Sequence, residues 1–179
     1  TALLIVDIQN DYFPGGGMEL VGTDAAAANA GKIQAKFRAS GLPVFNVQHI
    51  AKSPTATFFL PGTKGVEIHP SVSPAAGEPV VVKHFPNSFR ETGLLEVLRA
   101  AEVTDLVVVG MMTHMCIDTT VRAANDLGFK VTLVADACAT RDLEFQGVTV
   151  AASDVQTAYL AAIDGSFATV VSTEEALAL

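Results

Sequence analysis

The sequence predicts an α/β fold of three layers, in which a doubly wound, six-stranded and mainly parallel sheet lies between two layers of helices. Two observations support this prediction. Short apolar segments rich in β-branched residues alternate with segments of helical periodicity along the whole chain. These short segments are also too uniformly apolar for a sheet with one face in water, which predicts strands buried on both faces. Folds of this kind carry functional groups at the carboxyl ends of their strands.

Six short segments are predicted as strands. They are Leu3–Asp7, Val44–Gln48, Val80–Lys83, Leu106–Gly110, Val131–Ala135 and Ala168–Ser172. Four helical segments are predicted between them from capping residues, periodic leucines and terminating glycines. These helices run from Thr23 or Asp24 to a residue before Gly41, through Leu94 and Leu98, from about Thr113 to Gly128, and from about Leu143 to Ile163.

Composition and charge limit the possible partners. The 179 residues are half apolar, and 11 basic against 19 acidic residues give a net charge of −8. An acidic surface repels nucleic acid and anionic membranes, so neither is expected as a partner. The chain contains no apolar run long enough to span a bilayer, and its first residues have the pattern of a strand rather than of a signal peptide. With two cysteines outside any spaced framework, we expect free thiols and a cytoplasmic protein.

The chain is expected to form one domain over residues 1–179, because no linker interrupts the alternation. One long irregular segment, Ile50 to Pro79, is rich in proline and glycine. Segments of this length in a compact domain are commonly lids, binding loops or subunit contacts.

Three residues stand where this fold places chemistry. Asp7 ends the first predicted strand, Lys83 ends the third, and Cys116 follows the fourth. A cysteine attacks a carbonyl as the thiolate, so it needs a base to take its proton and a positive charge or helix N-terminus to hold the anion. Asp7 could be the base and Lys83 the cation. Burying either charged group alone would cost free energy, but each becomes acceptable when the other is its counter-ion.

The residues around these three positions resemble the isochorismatase-like cysteine hydrolases, which include nicotinamidases, N-carbamoylsarcosine amidases and ureidoacrylate amidases. The matching segments are Leu4 to Phe13, Lys83 to Phe89, Gly110 to Thr120 and Val134 to Ala139, and the similarity continues through the last helix to Glu175. The resemblance implies that Asp7, Lys83 and Cys116 form a catalytic triad. It also implies hydrolysis of a C–N bond in a small amide or carbamoyl-type substrate through a thioester.

The resemblance implies two further features of the site. Family members have a cis peptide bond that here would join Met111 to Met112, with the N–H groups of Met112 and Cys116 forming an oxyanion hole. Substrate contacts are expected from Phe13, His49, Phe89, Met111 and Thr113, with Phe58 and Phe59 as further candidates for an apolar wall. Gln9 is expected to brace the first loop and to order the Asp7 carboxylate. Family members usually assemble, so a homo-oligomer is expected.

No cofactor or metal is expected. Some family members hold a metal with an Asp-x-His pair and a further His, but the corresponding segment here is Asn46 to Ile50, in which His49 stands alone. This difference weakens nicotinamidase as the specific activity.

Three alternatives were weighed, of which two remain open. An isochorismatase-type hydrolase would cleave a vinyl ether, although those enzymes lack the cysteine. A phosphatase using Asp7 as nucleophile is discounted because Gln9 occupies the place of its second Asp. A catalytically silent binding or oligomerisation module with the same fold is the alternative outside enzymes.

Overall fold

The structure is a computed structural model that describes residues 1–178. Its strands are β1 (Ala2–Val6), β2 (Val44–His49), β3 (Val80–Lys83), β4 (Asp105–Met111), β5 (Lys130–Ala139), β6 (Leu143–Phe145), β7 (Val148–Val150) and β8 (Thr169–Val171). Its α-helices are α1 (Thr23–Ala39), α2 (Leu94–Ala100), α3 (Asp118–Asp126), α4 (Ala152–Ile163) and α5 (Thr173–Ala178). Short turns of 3₁₀ helix lie at Asn10–Tyr12, Lys64–Val66 and Pro70–Val72, and a π-helical turn lies at Thr113–Ile117.

The main sheet confirms the predicted fold class. Six parallel strands follow the order β3-β2-β1-β4-β5-β8. The chain builds outward from β1 to β3 and then returns to place β4 on the other side of β1. The direction of winding therefore reverses between β1 and β4, and the carboxyl ends of strands at such a reversal are the usual ligand position in this class of fold.

Two apolar layers hold the helices against the sheet. Leu3 and Ile5 of β1 pack in the layer that includes α1, whereas Leu4 and Val6 pack in the layer that includes α2 and α3. This alternation follows from the two-residue period of a strand and buries both faces of the central sheet. Within residues 1–178, none of the helices has the length and apolar character that crossing a bilayer requires.

Close packing of β4 against β1 depends on Gly110. Its φ is 140°, and a Cβ atom at this position would collide with the Val6 carbonyl. The register between β4 and β5 is irregular at the same place, between Val108 and Gly110. Glycine therefore allows β4 to bend beside β1 immediately before the turn that carries Cys116.

The segment before α4 corrects the predicted fourth helix. Residues 143–150 form the antiparallel hairpin of β6 and β7, and α4 begins at Ala152. Gln146 and Gly147 connect the two strands, and both have positive φ. A two-residue connection with positive φ at both positions is favoured in hairpins because its twist matches that of the strands.

Strand β3 corrects the expectation that every strand is buried on both faces. It is an edge strand in which Val80 and Val82 are exposed. Only Lys83, at its end, is completely buried. The apolar pattern of this strand did not reveal that it pairs on one side only.

Candidate active site

Asp7 lies immediately after β1, at the point where the sheet reverses. Its φ is 52°, in the left-handed region that Asp adopts more readily than most residues, and its N–H donates to the Val47 carbonyl at 3.1 Å. The side chain is completely buried. Positive φ at a buried carboxylate is a local conformation that costs free energy, and such conformations are concentrated at functional sites.

The Lys83 ammonium forms a buried ion pair with Asp7. Its Nζ lies 2.7 Å from Asp7 Oδ2 and also donates to the carbonyls of Phe85 and Pro86, at 3.2 and 2.9 Å. Burial opposes the charged ammonium, but the charges of Asp7 and Cys116 outweigh burial and raise the pKa of Lys83. Lys83 therefore stays positively charged, with an acceptor for each of its three N–H groups.

Cys116 lies in the π-helical turn that follows β4, close to the same carboxylate. Its Sγ, a carboxylate oxygen of Asp7 and a ring nitrogen of His49 all lie within 4.8 Å of one another. The fold thus brings together the three residues predicted as a triad, although they are far apart in sequence. The peptide bond between Met111 and Met112, just before this turn, is cis.

The Cys116 thiol is protonated at neutral pH. Burial, with a further contribution from the Asp7 charge, raises the pKa of Cys116 to about 12, and Lys83 only partly opposes this rise. A preformed thiolate, as found in many reactive cysteines, is therefore not the resting state. Attack by this thiol needs a base that removes its proton during the reaction.

Asp7 is free to act as such a base. Beyond the ion pair with Lys83, neither of its carboxylate oxygens accepts a hydrogen bond within residues 1–178. Asp7 Oδ1 therefore has no donor, and a buried acceptor without a donor is unfavourable in a purely structural role. The Gln9 amide does not supply a donor, because it holds the backbone of His49 and the Val66 carbonyl instead, which corrects its expected contact with Asp7.

His49 is the third group beside the thiol and the carboxylate. Its Nδ1 lies 3.9 Å from Asp7 Oδ2, and burial lowers the pKa of His49 although Asp7 opposes this shift. Asp7, His49 and Cys116 have the spacing of metal ligands. However, the Lys83 ammonium contacts the same carboxylate, so a metal cation there would meet a positive charge at close range.

A cavity of about 210 Å³ opens beside His49. Its other lining residues are Ala51, Lys52, Ser53, Ala56, Phe58, Phe59 and His84. Most of this wall belongs to the irregular segment Ile50 to Pro79, as expected for a binding loop. Asp11 fixes part of that segment, because its carboxylate accepts the N–H of Phe59 at 2.6 Å and the N–H of Gly17 at 3.0 Å.

Of the five residues predicted to contact substrate, only His49 lines this cavity. Met111 is completely buried in the core, and Phe13 stacks on His69 with ring centroids 3.7 Å apart. The Thr113 hydroxyl lies 2.7 Å from Gln156 Oε1 and 3.2 Å from the Ala139 carbonyl. Phe89 packs against Phe129, which precedes β5 at the far end from Cys116. Phe13, Met111 and Thr113 are thus buried and Phe89 is partly buried, and contact of these four residues with a substrate stays a prediction.

The chain matches the sequence profile of the isochorismatase domain over residues 1–175. The chain belongs to the isochorismatase family. An uncharacterized isochorismatase family protein of Bacillus subtilis, YddQ, is 52% identical over 174 residues, which cover 97% of each chain. The crystal structure of an isochorismatase hydrolase from Oleispira antarctica superposes with a TM-score of 0.96 at 51% identity, covering 99% of this chain and 96% of the other.

Relatives in the isochorismatase family include hydrolases of named activity. Nicotinamidase 3 of Arabidopsis thaliana is 30% identical over 161 residues, which cover 83% of this chain and 78% of the relative. A further relative is a streptothricin hydrolase of Streptomyces noursei. The family is thus one of hydrolases, some of which act on amides.

Proposed function

We propose that this protein is a cysteine-dependent hydrolase, formed by one isochorismatase-like domain, that cleaves the C–N bond of a small amide or carbamoyl-type substrate through a thioester. The observation that carries the proposal is the buried contact of Lys83 with Asp7 at 2.7 Å, with the Cys116 sulfur within 4.8 Å of the same carboxylate. A carboxylate beside a neutral thiol and a fixed ammonium is the arrangement needed for base-assisted attack.

In the first half of the proposed reaction, Asp7 takes the proton of the Cys116 thiol as the sulfur attacks the substrate carbonyl carbon. The C–N bond then breaks, Asp7 returns the proton to the departing nitrogen, and a thioester to Cys116 remains. In the second half, Asp7 removes a proton from water, which attacks the thioester. The acid leaves, and the sulfur regains a proton. Lys83 holds Asp7 in place and opposes the developing negative charge on sulfur.

The carbonyl oxygen gains negative charge in both halves, and the N–H groups of Met112 and Cys116 are the proposed donors to it. In support, none of the backbone hydrogen bonds that lie outside the regular helices and strands of residues 1–178 has the Met112 N–H as its donor. The Met112 carbonyl accepts the N–H groups of Met115 and Ile117 at 3.0 and 3.2 Å, which fixes the following peptide, Met112–Thr113, beside that N–H.

The experiment is a screen of small primary amides and carbamoyl compounds, followed by mass spectrometry of the protein during turnover. We expect ammonia release by the wild type, an acyl adduct on Cys116, and no turnover by Cys116→Ala. Asp7→Asn should lose at least about a hundredfold in rate, because general base catalysis contributes on the order of 10²–10⁴.

Cys138→Ala is the matched control. Cys138 is also a buried cysteine whose pKa burial raises to about 12, but it lies on β5 and has no contact with Asp7 in the described part of the chain. Its substitution should leave turnover intact. Equal turnover by the wild type and Cys116→Ala would contradict the proposal.

A further inference from the structure

Phe59, in the wall of the cavity beside His49, has an unfavourable backbone conformation. Its φ is 57°, in the left-handed region that bulky residues rarely adopt, and its side chain is buried. Such a conformation costs free energy and persists where surrounding contacts enforce it. The contacts of the Phe59 backbone therefore decide where this part of the wall lies.

Two hydrogen bonds hold the Phe59 backbone, one on each side. Its N–H donates to Asp11 Oδ2 at 2.6 Å, and its carbonyl accepts the N–H of Ala51 at 2.9 Å. Asp11 is itself buried, in the loop that follows β1. A hydrogen bond to a charged acceptor is stronger than one between neutral groups. Asp11 thus supplies the stronger of the two bonds from a position outside the cavity.

The Asp11 carboxylate is held in place by more than Phe59. Its Oδ1 accepts the N–H of Gly17 at 3.0 Å. A Cβ atom on Gly65 would collide with the carboxylate, and one on Gly17 would lie 3.2 Å from Oδ1, so glycine at both positions leaves room for it. The carboxylate is therefore a fixed point to which the Phe59 backbone is attached.

This attachment places the Phe59 ring among the groups of the candidate site. Its centroid lies 5.6 Å from that of His49 and 4.7 Å from that of Tyr12. A ring nitrogen of His49 lies within 4.8 Å of the Cys116 sulfur, so one side chain separates Phe59 from the thiol. The cavity of about 210 Å³ is smaller than the roughly 300–1,000 Å³ of pockets for drug-sized ligands, and it suits one small flat group.

We propose that Asp11 is a positioning residue that holds Phe59 against His49, so that the cavity wall is formed before a substrate binds and favours substrates with a flat apolar group beside the scissile carbonyl. A wall that is already ordered costs no free energy of ordering during binding. This inference deepens the proposed function and rests on it for the scissile bond. The wall itself depends on the contacts of Asp11 and Phe59.

The test measures alkylation of Cys116 by two neutral reagents, with the modified residue located by mass spectrometry. N-phenyliodoacetamide carries a phenyl ring that iodoacetamide lacks. Each forms a thioether with the sulfur and releases iodide and the thiol proton, so hydrolysis is not required. The readout is the ratio of the two rate constants, divided by the same ratio for glutathione. We expect a value above one for the wild type and a fall of about tenfold in Asp11→Ala, because Phe59 loses a charged acceptor.

The rate with iodoacetamide separates this effect from a general loss of structure. In Asp11→Ala it should stay nearly unchanged, because Asp7, Lys83 and Cys116 keep their contacts. A loosened fold would instead expose the thiol and raise this rate toward that of glutathione.

Further variants show whether Asp11 acts through Phe59. Phe59→Ala should lower the ratio as Asp11→Ala does, and the double variant should show no further fall. Asp11→Asn keeps one acceptor oxygen and should give an intermediate ratio. Asp164→Asn is the matched control, because Asp164 Oδ1 also accepts a backbone N–H, that of Val170 at 3.0 Å, but lies before β8 at the amino-terminal end of the sheet. Its ratio should equal that of the wild type.

The outcomes distinguish this inference from the proposed function. An unchanged ratio in Asp11→Ala, a rise of its iodoacetamide rate toward that of glutathione, or no alkylation of Cys116 in the wild type overturns the inference. Amide turnover through Cys116 with an unchanged ratio in Asp11→Ala overturns it while the proposed function stands. A ratio that depends on Asp11, without hydrolysis of any amide by the wild type, supports the inference and contradicts the proposed function.

Discussion

At the scale of single residues, the candidate site combines one buried ion pair with one buried, neutral thiol. The charges of Lys83 and Asp7 compensate each other where both are buried, and the Cys116 thiol has a carboxylate oxygen of Asp7 and a ring nitrogen of His49 within 4.8 Å. The Asp7 charge raises the pKa of the thiol, and the Lys83 charge lowers it less. The same carboxylate thus disfavours the thiolate at rest and is available to accept its proton when substrate is present.

The titration of Cys116 follows from this arrangement. With a pKa of about 12, the thiolate fraction stays small through neutral pH and rises as pH increases toward that value. The difference in ultraviolet thiolate absorbance between the wild type and Cys116→Ser should therefore show no step near pH 8.5, the usual cysteine range. Circular dichroism defines the range in which the fold is intact. A step at or below pH 8.5 would contradict this prediction.

At the scale of elements, the site depends on how β1 and β4 approach each other. Gly110 permits the contact with Val6, and the strand then turns directly into the segment that carries Cys116. The irregular segment after β2 contributes the cavity wall, and Asp11 links it to the first loop. Two parallel strands therefore position the groups of the candidate site, while the irregular segment after β2 forms most of the wall of the neighbouring cavity.

Gly110→Ala should destabilise the protein by about 3 kcal/mol or more, because its Cβ would meet the Val6 backbone and the φ of 140° is unfavourable for alanine. Gly128→Ala is the matched control, since Gly128 also has positive φ but no atom lies near its Cβ position. Only the conformational cost of roughly 1–2 kcal/mol is expected there. Urea unfolding measures both values. Equal losses of unfolding free energy in the two variants would show that the contact with Val6 adds no destabilisation.

At the scale of the whole molecule, the hairpin of β6 and β7 stands apart from the main sheet. Phe145 is 73% exposed and Val148 is 63% exposed. A two-stranded hairpin is marginally stable alone, and exposed apolar side chains of this size commonly mark a contact surface. We expect this hairpin to contribute to contacts between copies of the chain, in keeping with the homo-oligomer predicted from the sequence.

Phe145→Asp should therefore lower the molar mass of the protein in solution, measured by light scattering over a range of concentrations. Leu42→Asp is the control, because Leu42 is 39% exposed but lies before β2, at the amino-terminal end of the sheet. The expected result is a smaller species for Phe145→Asp only. A wild type that stays monomeric at every concentration would contradict the expectation.

The sequence predicted the parallel sheet, and it predicted that Asp7, Lys83 and Cys116 lie close together at one edge of that sheet. Asp7, Lys83 and Cys116 could be found because ionisable residues at the ends of apolar strands have few structural explanations. Contact of Phe13, Phe89, Met111 and Thr113 with a substrate stays a prediction, because an apolar or hydroxyl side chain has the same sequence pattern in a core and in a pocket.

The depth of the thiol has a consequence for the handling of the protein. Peroxides oxidise thiolates, and they do so most readily when the sulfur is accessible. Cys116 is 3% exposed and carries its proton at neutral pH. We therefore expect oxidation of Cys116 to sulfenic acid by peroxide to be slow in the free protein, and to become faster only when the thiol proton is removed.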